Sequence, residues 1–413
     1  MRELLAVSDA RELVLNQARR LPGVHTNQLV SGLVLDEDVA SDIDLPPFDK
    51  ALVDGYAVHE SDCTNEPSRI LRVLESVYAG DVPTQELQPG CCALVMTGAA
   101  LPKGTSTVAL IERSRACATN QVEIAGPIHA GQNWLSQGAE LQKGECIFER
   151  GTRLTPAHIG VLASIGKIGG WHVPSPNAAV ISTGDELVEP DHAPGPGQIR
   201  NSNRPTLLEL LPSFGAWPSF EAHVQDDADR LCGLFQERLK GPDAKEQQIL
   251  VITGGVSAGQ RDLVPDALVK AGVTPIFHKV ALRPGKPIWF GVGPHTGYGP
   301  PCLVFGLPGN PVSVLVCSLL FIKPAIEVMS GRAPTPLVPR TATLTQTFQH
   351  SGERMSFLPA KRVATDPLSI ELARWNGSSD LRTIANSDGF AIFDAGDRAY
   401  QPGDRVGFLP IDQ

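Results

Sequence analysis

The stretch Gln248-Ile-Leu-Val-Ile-Thr-Gly-Gly-Val-Ser257 decides the fold. Ile249 to Ile252 form an unbroken apolar run, too short for a buried helix, that stops at Thr253-Gly254-Gly255. An apolar run without alternation is a strand buried on both faces, as in a parallel sheet covered by helices. Outward from it, strands are expected at 178–182, 219–224, 274–280 and 302–306, with helices at 205–211, 228–239, 263–271 and 311–329. Strands alternating with helices predict an α/β multidomain protein whose central domain, residues 174–330, is a doubly wound, mostly parallel sheet.

The flanks read differently. Asp9 and Glu12 form an N-cap pair ahead of Val14, Ala18 and Leu21, predicting a helix halted by Pro22-Gly23. A second helix is expected over 151–170, and the two are assigned to a helical linking domain, residues 1–42 and 146–173. Short β runs at 70–77, 93–96, 107–111 and 121–124 form an inserted β domain over 43–145. Residues 331–413 return to short β runs with turns at Ser351-Gly352, Asn376-Gly377 and Asp388-Gly389, a small C-terminal β-barrel.

A chain of 413 residues suits two to four domains. Its net charge of −10 gives no overall basic field, so a nucleic-acid partner is not expected. The eight cysteines make no C-x-x-C, as expected of free thiols in a reducing cytoplasm. Residues 1–35 lack an apolar leader and no window reaches 18 apolar residues, so no membrane segment is expected.

Thr183-Gly-Asp-Glu186, Asp226-Asp227, Thr253-Gly-Gly-Val-Ser257 and Gly306-Leu-Pro-Gly-Asn-Pro311 each follow an expected strand and precede a helix. In an open parallel sheet such turns share the carboxyl edge, where ligands bind. Gly254 and Gly255 let backbone amides approach a phosphate, or form only a tight turn. Pro308 and Pro311 stiffen a loop that suits an oxyanion, or merely start a helix. Asp185, Glu186, Asp226, Asp227 and Asp262 offer hard oxygen ligands for Mg²⁺, or serve as helix N-caps. Lys279, Arg283 and Lys286 crowd a turn held by Pro284, Gly285 and Pro287, an anion pocket or a solvated basic turn. Gly255-Val-Ser-Ala-Gly259 also matches a nucleophile elbow at Ser257, with Asp262 or Asp266 and His278 or His295 in order for a serine esterase. There is no H-E-x-x-H and no P-loop.

With Pro46-Pro-Phe-Asp-Lys-Ala-Leu-Val-Asp-Gly-Tyr-Ala-Val58, Met96-Thr-Gly-Ala99, Ser182-Thr-Gly-Asp-Glu-Leu187, Arg283-Pro-Gly-Lys-Pro287 and Gly306-Leu-Pro-Gly-Asn-Pro-Val-Ser313, the chain resembles the molybdopterin molybdenumtransferases, the MoeA and gephyrin E-domain family. The resemblance implies molybdenum insertion from molybdate into adenylated molybdopterin, with AMP released in a Mg²⁺-dependent step. It also implies a four-domain homodimer with its site between subunits, and dealings with other molybdenum-cofactor biosynthesis proteins. By motif, Asp54, Thr97, Glu186, Asp227, Asp262, Lys279, Arg283, Pro308 and Pro311 fall on functional positions. Glu186, Asp227 and Asp262 are assigned to Mg²⁺ and nucleotide phosphates, and Lys279 and Arg283 to molybdate or phosphate. Gly254, Gly255, Ser257 and Lys286 belong to the substrate side, with Arg354 and Ser378 as further oxyanion candidates. Three departures stand out: Arg283 where Lys is usual, Asn201 where Asp is common, and Asn133 to Glu140 in place of an Arg-rich stretch. They leave open a non-catalytic scaffold derived from the family.

Overall fold

The computed structural model describes residues 2–241, 247–256, 263–295, 299–365 and 367–411; Ser257 and Asp262 lie outside them. The chain forms two compact units, one of residues 1–36, 153–155 and 170–413, the other of residues 37–152 and 156–169.

The first unit is built on a seven-stranded sheet in the order Arg2–Leu5, Thr274–Val280, Trp289–Val292, Leu303–Leu307, Ile249–Thr253, Asn177–Thr183, Trp217–Val224. All neighbours run parallel except Trp289–Val292, which is antiparallel to both of its own. Every residue of Ile249–Thr253 and Leu303–Leu307 is buried, as their unalternating apolarity requires. Two of these strands go beyond the sequence reading. Trp289–Val292 is short and begins one residue after a Pro-Gly-Lys-Pro turn, and Arg2–Leu5 carries two charges in four residues.

The first helix spans Val7–Gln17, so Asp9 lies in its first turn rather than at its N-cap, which is Ala6 without a side-chain bond. It ends before Leu21, whose N–H instead donates to the Met329 carbonyl at 2.9 Å. Its packing partner is the far end of the core helix Pro311–Met329. That helix widens into a π segment over Ser318–Ile322, where the Leu320 carbonyl accepts a 3.0 Å bond from Arg11. It is long and apolar enough to cross a bilayer, yet 89% of its apolar window is buried in protein, as befits a core helix.

Five strands close a barrel in the C-terminal region: Met355–Thr365, Leu368–Leu372, Arg340–Leu344, Arg405–Pro410 and Gly389–Phe393, the last pairing back to the first. Alternation divides its side chains: Phe390 and Ile392 join the main core, while Ala391 and Phe393 fill the barrel. Leu282–Arg283 runs parallel to Met355–Ser356 and so ties the cationic turn to the barrel.

The second unit centres on a six-stranded sheet in the order Ser114–Ala118, Gln121–Ala125, Ser68–Val77, Cys91–Val95, Gly55–His59, Thr105–Leu110. Helix Pro156–Ser164 belongs to this unit, and the first helix to the other. All eight cysteines are unpaired, as their spacing predicts.

Candidate functional site

The glycine loop and the proline loop lie side by side at the carboxyl edge. Gly254 has φ +98°, and a Cβ there would stand 2.2 Å from the Thr183 carbonyl; Gly255 has φ +60° and would meet Val264. Only glycine meets both demands. The Gly254 N–H donates to the Leu307 carbonyl at 3.2 Å, joining the two loops.

Asn203, which the sequence reading passed over, pins them. Its Nδ2 donates to Thr253 Oγ1 at 2.9 Å and to the Gly309 carbonyl at 2.7 Å, from the first residue of helix Asn203–Phe214. Its buried Oδ1 has no hydrogen-bond partner among the described residues. The available signal was its place two residues after Asn201, at a strand-to-helix turn.

Of the three cations expected at the turn, Arg283 lines a cavity, whereas Lys279 and Lys286 are not part of its lining. Arg283, Pro308, Arg354 and Ser378 line a space of about 340 Å³ together with Asn310, Ser313 and Trp375. The Ser378 carbonyl accepts a 3.0 Å bond from the Val312 N–H, which fixes the barrel segment against the start of the core helix. Gly285, at φ +120°, leaves room for Cys317, whose sulfur a Cβ would meet at 2.8 Å. Lys279 lies in a strand yet has φ +73°, a left-handed conformation that costs a lysine about 1–2 kcal/mol. Its N–H donates to the Ile288 carbonyl at 2.9 Å, and His278 Nε2 lies 2.9 Å from the Val256 carbonyl. Lys279, Arg283, Lys286 and Arg354 have no carboxylate partner among the described residues.

The acidic loops are arranged otherwise. Asp227 caps helix Ala228–Lys240, its Oδ1 accepting from the N–H groups of Asp229 at 3.0 Å and Arg230 at 2.9 Å. Asp226 accepts from Thr183 Oγ1 at 2.6 Å, and Asp185 from the Asp226 N–H at 3.1 Å. Among the described residues no three acidic, His or Cys side chains form a metal-holding group. Glu186 nonetheless folds back over Gly184, where a Cβ would meet its carboxylate at 2.7 Å.

In the second unit, Asp54 and Thr97 pair directly. Asp54 Oδ1 accepts from Thr97 N at 2.7 Å and from its Oγ1 at 2.8 Å, joining two motifs more than forty positions apart. These bonds, the backbone one first, hold the Asp54 carboxyl below the usual carboxylate range.

Comparison with known proteins agrees in domain order. Residues 5–166 match the MoeA N-terminal region (domain I and II), 179–328 the probable molybdopterin binding domain, and 341–411 the MoeA C-terminal region (domain IV). A molybdopterin molybdenumtransferase of Synechococcus elongatus is 34% identical over 95% of this chain and 96% of its own length. The chain belongs to the molybdopterin molybdenumtransferase family. The enzyme of that name from Bacillus subtilis is 32% identical over 91% of this chain and 87% of its own. The crystal structure of the molybdopterin biosynthesis MoeA protein from Pyrococcus horikoshii OT3 is similar with TM-score 0.79 and 26% identity, over 99% of this chain and 100% of that one.

Against the family pattern, the departures acquire structural detail. Asn201 is buried, donating through Nδ2 to Ser182 Oγ at 2.8 Å and accepting from the Arg204 N–H at 3.2 Å. An aspartate could not make the first of those bonds as donor. Within residues 133–140, Trp134 donates from Nε1 to the Ser106 carbonyl at 3.1 Å, and Gln137 donates its N–H to Asp49. The segment serves the packing of its own module.

Proposed function

We propose that this chain inserts molybdenum from molybdate into adenylated molybdopterin and releases AMP, at the carboxyl edge of its parallel sheet. The observation that carries the reading is the cavity that brings Arg283 and Arg354 together with Ser378, Ser313 and Pro308. Two guanidinium groups without carboxylate partners there supply forked donors for an oxyanion. Gly254 and Gly255 lie next to that cavity's proline loop, where nucleotide phosphates fit. Lys279 adds a point charge, and Asn203 keeps the two loops in register.

Glu186 and Asp227, with Asp262, would hold Mg²⁺. The described carboxylates make no closed cage, which suits an ion that takes one or two protein carboxylates and completes its shell with phosphate oxygens and water. When bound, Mg²⁺ would neutralise phosphate charge and ease the departure of AMP. The same reading makes the chain a homodimer in which Asp54 and Thr97 serve the site of the other subunit. The ionised Asp54 would then act on substrate or cation.

The test is reconstitution. Purified protein with molybdate, Mg²⁺ and adenylated molybdopterin is expected to yield active cofactor and AMP above the no-enzyme blank. If neither forms while a reference family member works, the catalytic reading fails and the scaffold remains. For the shared site, a mixture of Asp54→Ala and Lys279→Ala proteins is expected to regain activity by exchanging subunits. A mixture as inactive as its parts would put each site within one subunit.

A further inference from the structure

We propose that the C-terminal barrel carries a second anion site, distinct from the Arg283–Arg354 cavity, for a small ligand with several charged oxygens such as a phosphate. It occupies an open cavity of about 750 Å³ walled by Lys361, Arg374, Arg382, Gln346, Asp380 and Glu371. The hydrogen-bonding groups of this wall divide into spent acceptors and free donors.

The acceptors are largely consumed by the protein's own backbone. Asp380 Oδ1 accepts from the Thr383 N–H at 3.0 Å; Oδ2 accepts from the Asn376 N–H at 3.1 Å and from Thr383 Oγ1 at 2.8 Å. Those bonds, led by the one from the Thr383 backbone, hold its carboxyl below the usual range, so it persists as a committed helix cap. Gln346 gives its Oε1 to the Leu372 N–H at 3.2 Å, which turns its Nε2 donor loose. The donors of Lys361 and Arg374 are unspent. Lys361 stands opposite Glu371 in strand register, yet no ion pair joins them, and Arg374 has no carboxylate partner among the described residues. Asp380 and Glu371 stand against the three cations Lys361, Arg374 and Arg382, and Arg382 already acts on the Asp380 carboxylate, so the wall keeps a net positive charge carried by Lys361 and Arg374. In a chain of net charge −10, such a wall selects an anion.

The placement gives the site a consequence. Arg374 and Asn376 line this cavity, whereas Trp375, Gly377 and Ser378 line the one containing Arg283 and Arg354. One strap of chain therefore runs between the two, with Arg374 and Asn376 on one side and Trp375 on the other. The strap is fastened by the Ala373 N–H to the Pro359 carbonyl at 2.8 Å and by the Ser378 carbonyl to the Val312 N–H. An anion held by Arg374 would steady the wall of the inner cavity, and Trp375 would report it.

Equilibrium dialysis of radiolabelled inorganic phosphate and of AMP against the full-length protein tests this. The comparison proteins are Lys361→Ala/Arg374→Ala and Arg354→Ala, with circular dichroism to verify folding. One class of binding is expected to weaken at least about tenfold in the double variant and to persist in Arg354→Ala. In the Arg354→Ala background, phosphate should change a fluorescence signal that Trp375→Phe abolishes. Tighter binding of AMP would assign a nucleotide, and equal affinity a free oxyanion; both uphold the site. No binding to the wild type, unchanged binding in the double variant, or loss of all binding in Arg354→Ala alone would overturn it. The molybdate reading is not needed for this result, since the double variant leaves Arg283 and Arg354 in place.

Discussion

The cationic turn and the acidic loops present the same problem in sequence and opposite answers in three dimensions. Both are clusters of like charge on strand-to-helix or hairpin turns, and both admit a functional and an ordinary reading. In the turn, Arg283 shares a cavity with Arg354 from a chain segment seventy residues away, and neither has a carboxylate partner among the described residues. In the loops, Asp227 and Asp226 already hold up their own backbone or a neighbouring hydroxyl. Charge density in a sequence thus says little until one knows which charges the fold has used.

That contrast can be broken most forcefully at the turn. Arg283→Ala combined with Arg354→Ala is expected to lower kcat/KM by roughly 10²–10³, the scale of losing preorganised donors to a reacting oxyanion. Steady-state kinetics with varied molybdate would detect it, and near wild-type turnover would reduce the cavity to an ordinary basic surface. Next comes Gly254→Ala, where a positive φ and a 2.2 Å approach to Thr183 O coincide. It should destabilise the protein by roughly 2–4 kcal/mol, read as a lower denaturation midpoint.

Asp227 separates the two readings of the acidic loops. Asp227→Ala removes a cap and should cost about 1 kcal/mol of stability, whereas Asp227→Asn retains the cap and removes only the charge. If the asparagine variant keeps both its stability and its Mg²⁺-dependent activity, Asp227 is a cap alone. Lost activity with retained stability would support the metal assignment.

The smallest effect lies in the other unit. Because Thr97 depresses the folded-state pKa of Asp54, the ionised carboxylate contributes stability above its unfolded value, about pH 4, and loses it as pH falls through the folded one. Thr97→Val should bring that pKa back up toward the ordinary range, as a carboxyl-carbon NMR titration would follow. An unchanged titration would mean that the backbone N–H of residue 97 holds the charge without the hydroxyl.

Much of the fold was legible because its parallel strands are buried on both faces and announce themselves as unbroken apolar runs, as at 249–252. Trp289–Val292 gave no such warning: with a Pro-rich turn before it and a glycine within, it resembles a continuation of the hairpin. The true start of the first helix was hidden because Ala6 caps without a side chain, while Asp9 and Glu12 mimic a capping pair one turn too late. At the site, motifs found Arg283 and Pro308, and the fold gathers them around one cavity with Arg354 and Ser378, named only as further oxyanion candidates of the last domain. Asn203 escaped because its importance lies in reaching Thr253 and Gly309, contacts made across 50 and 106 positions of chain. No local pattern encodes such a reach.

Lys279 bends its backbone the wrong way for a lysine. Glycine would relax there without penalty, so Lys279→Gly is expected to yield a hardier protein, by about 1 kcal/mol, that no longer turns over. Selection for durability alone would have erased this residue; its survival in a contorted posture would mark the point at which chemistry outranked comfort.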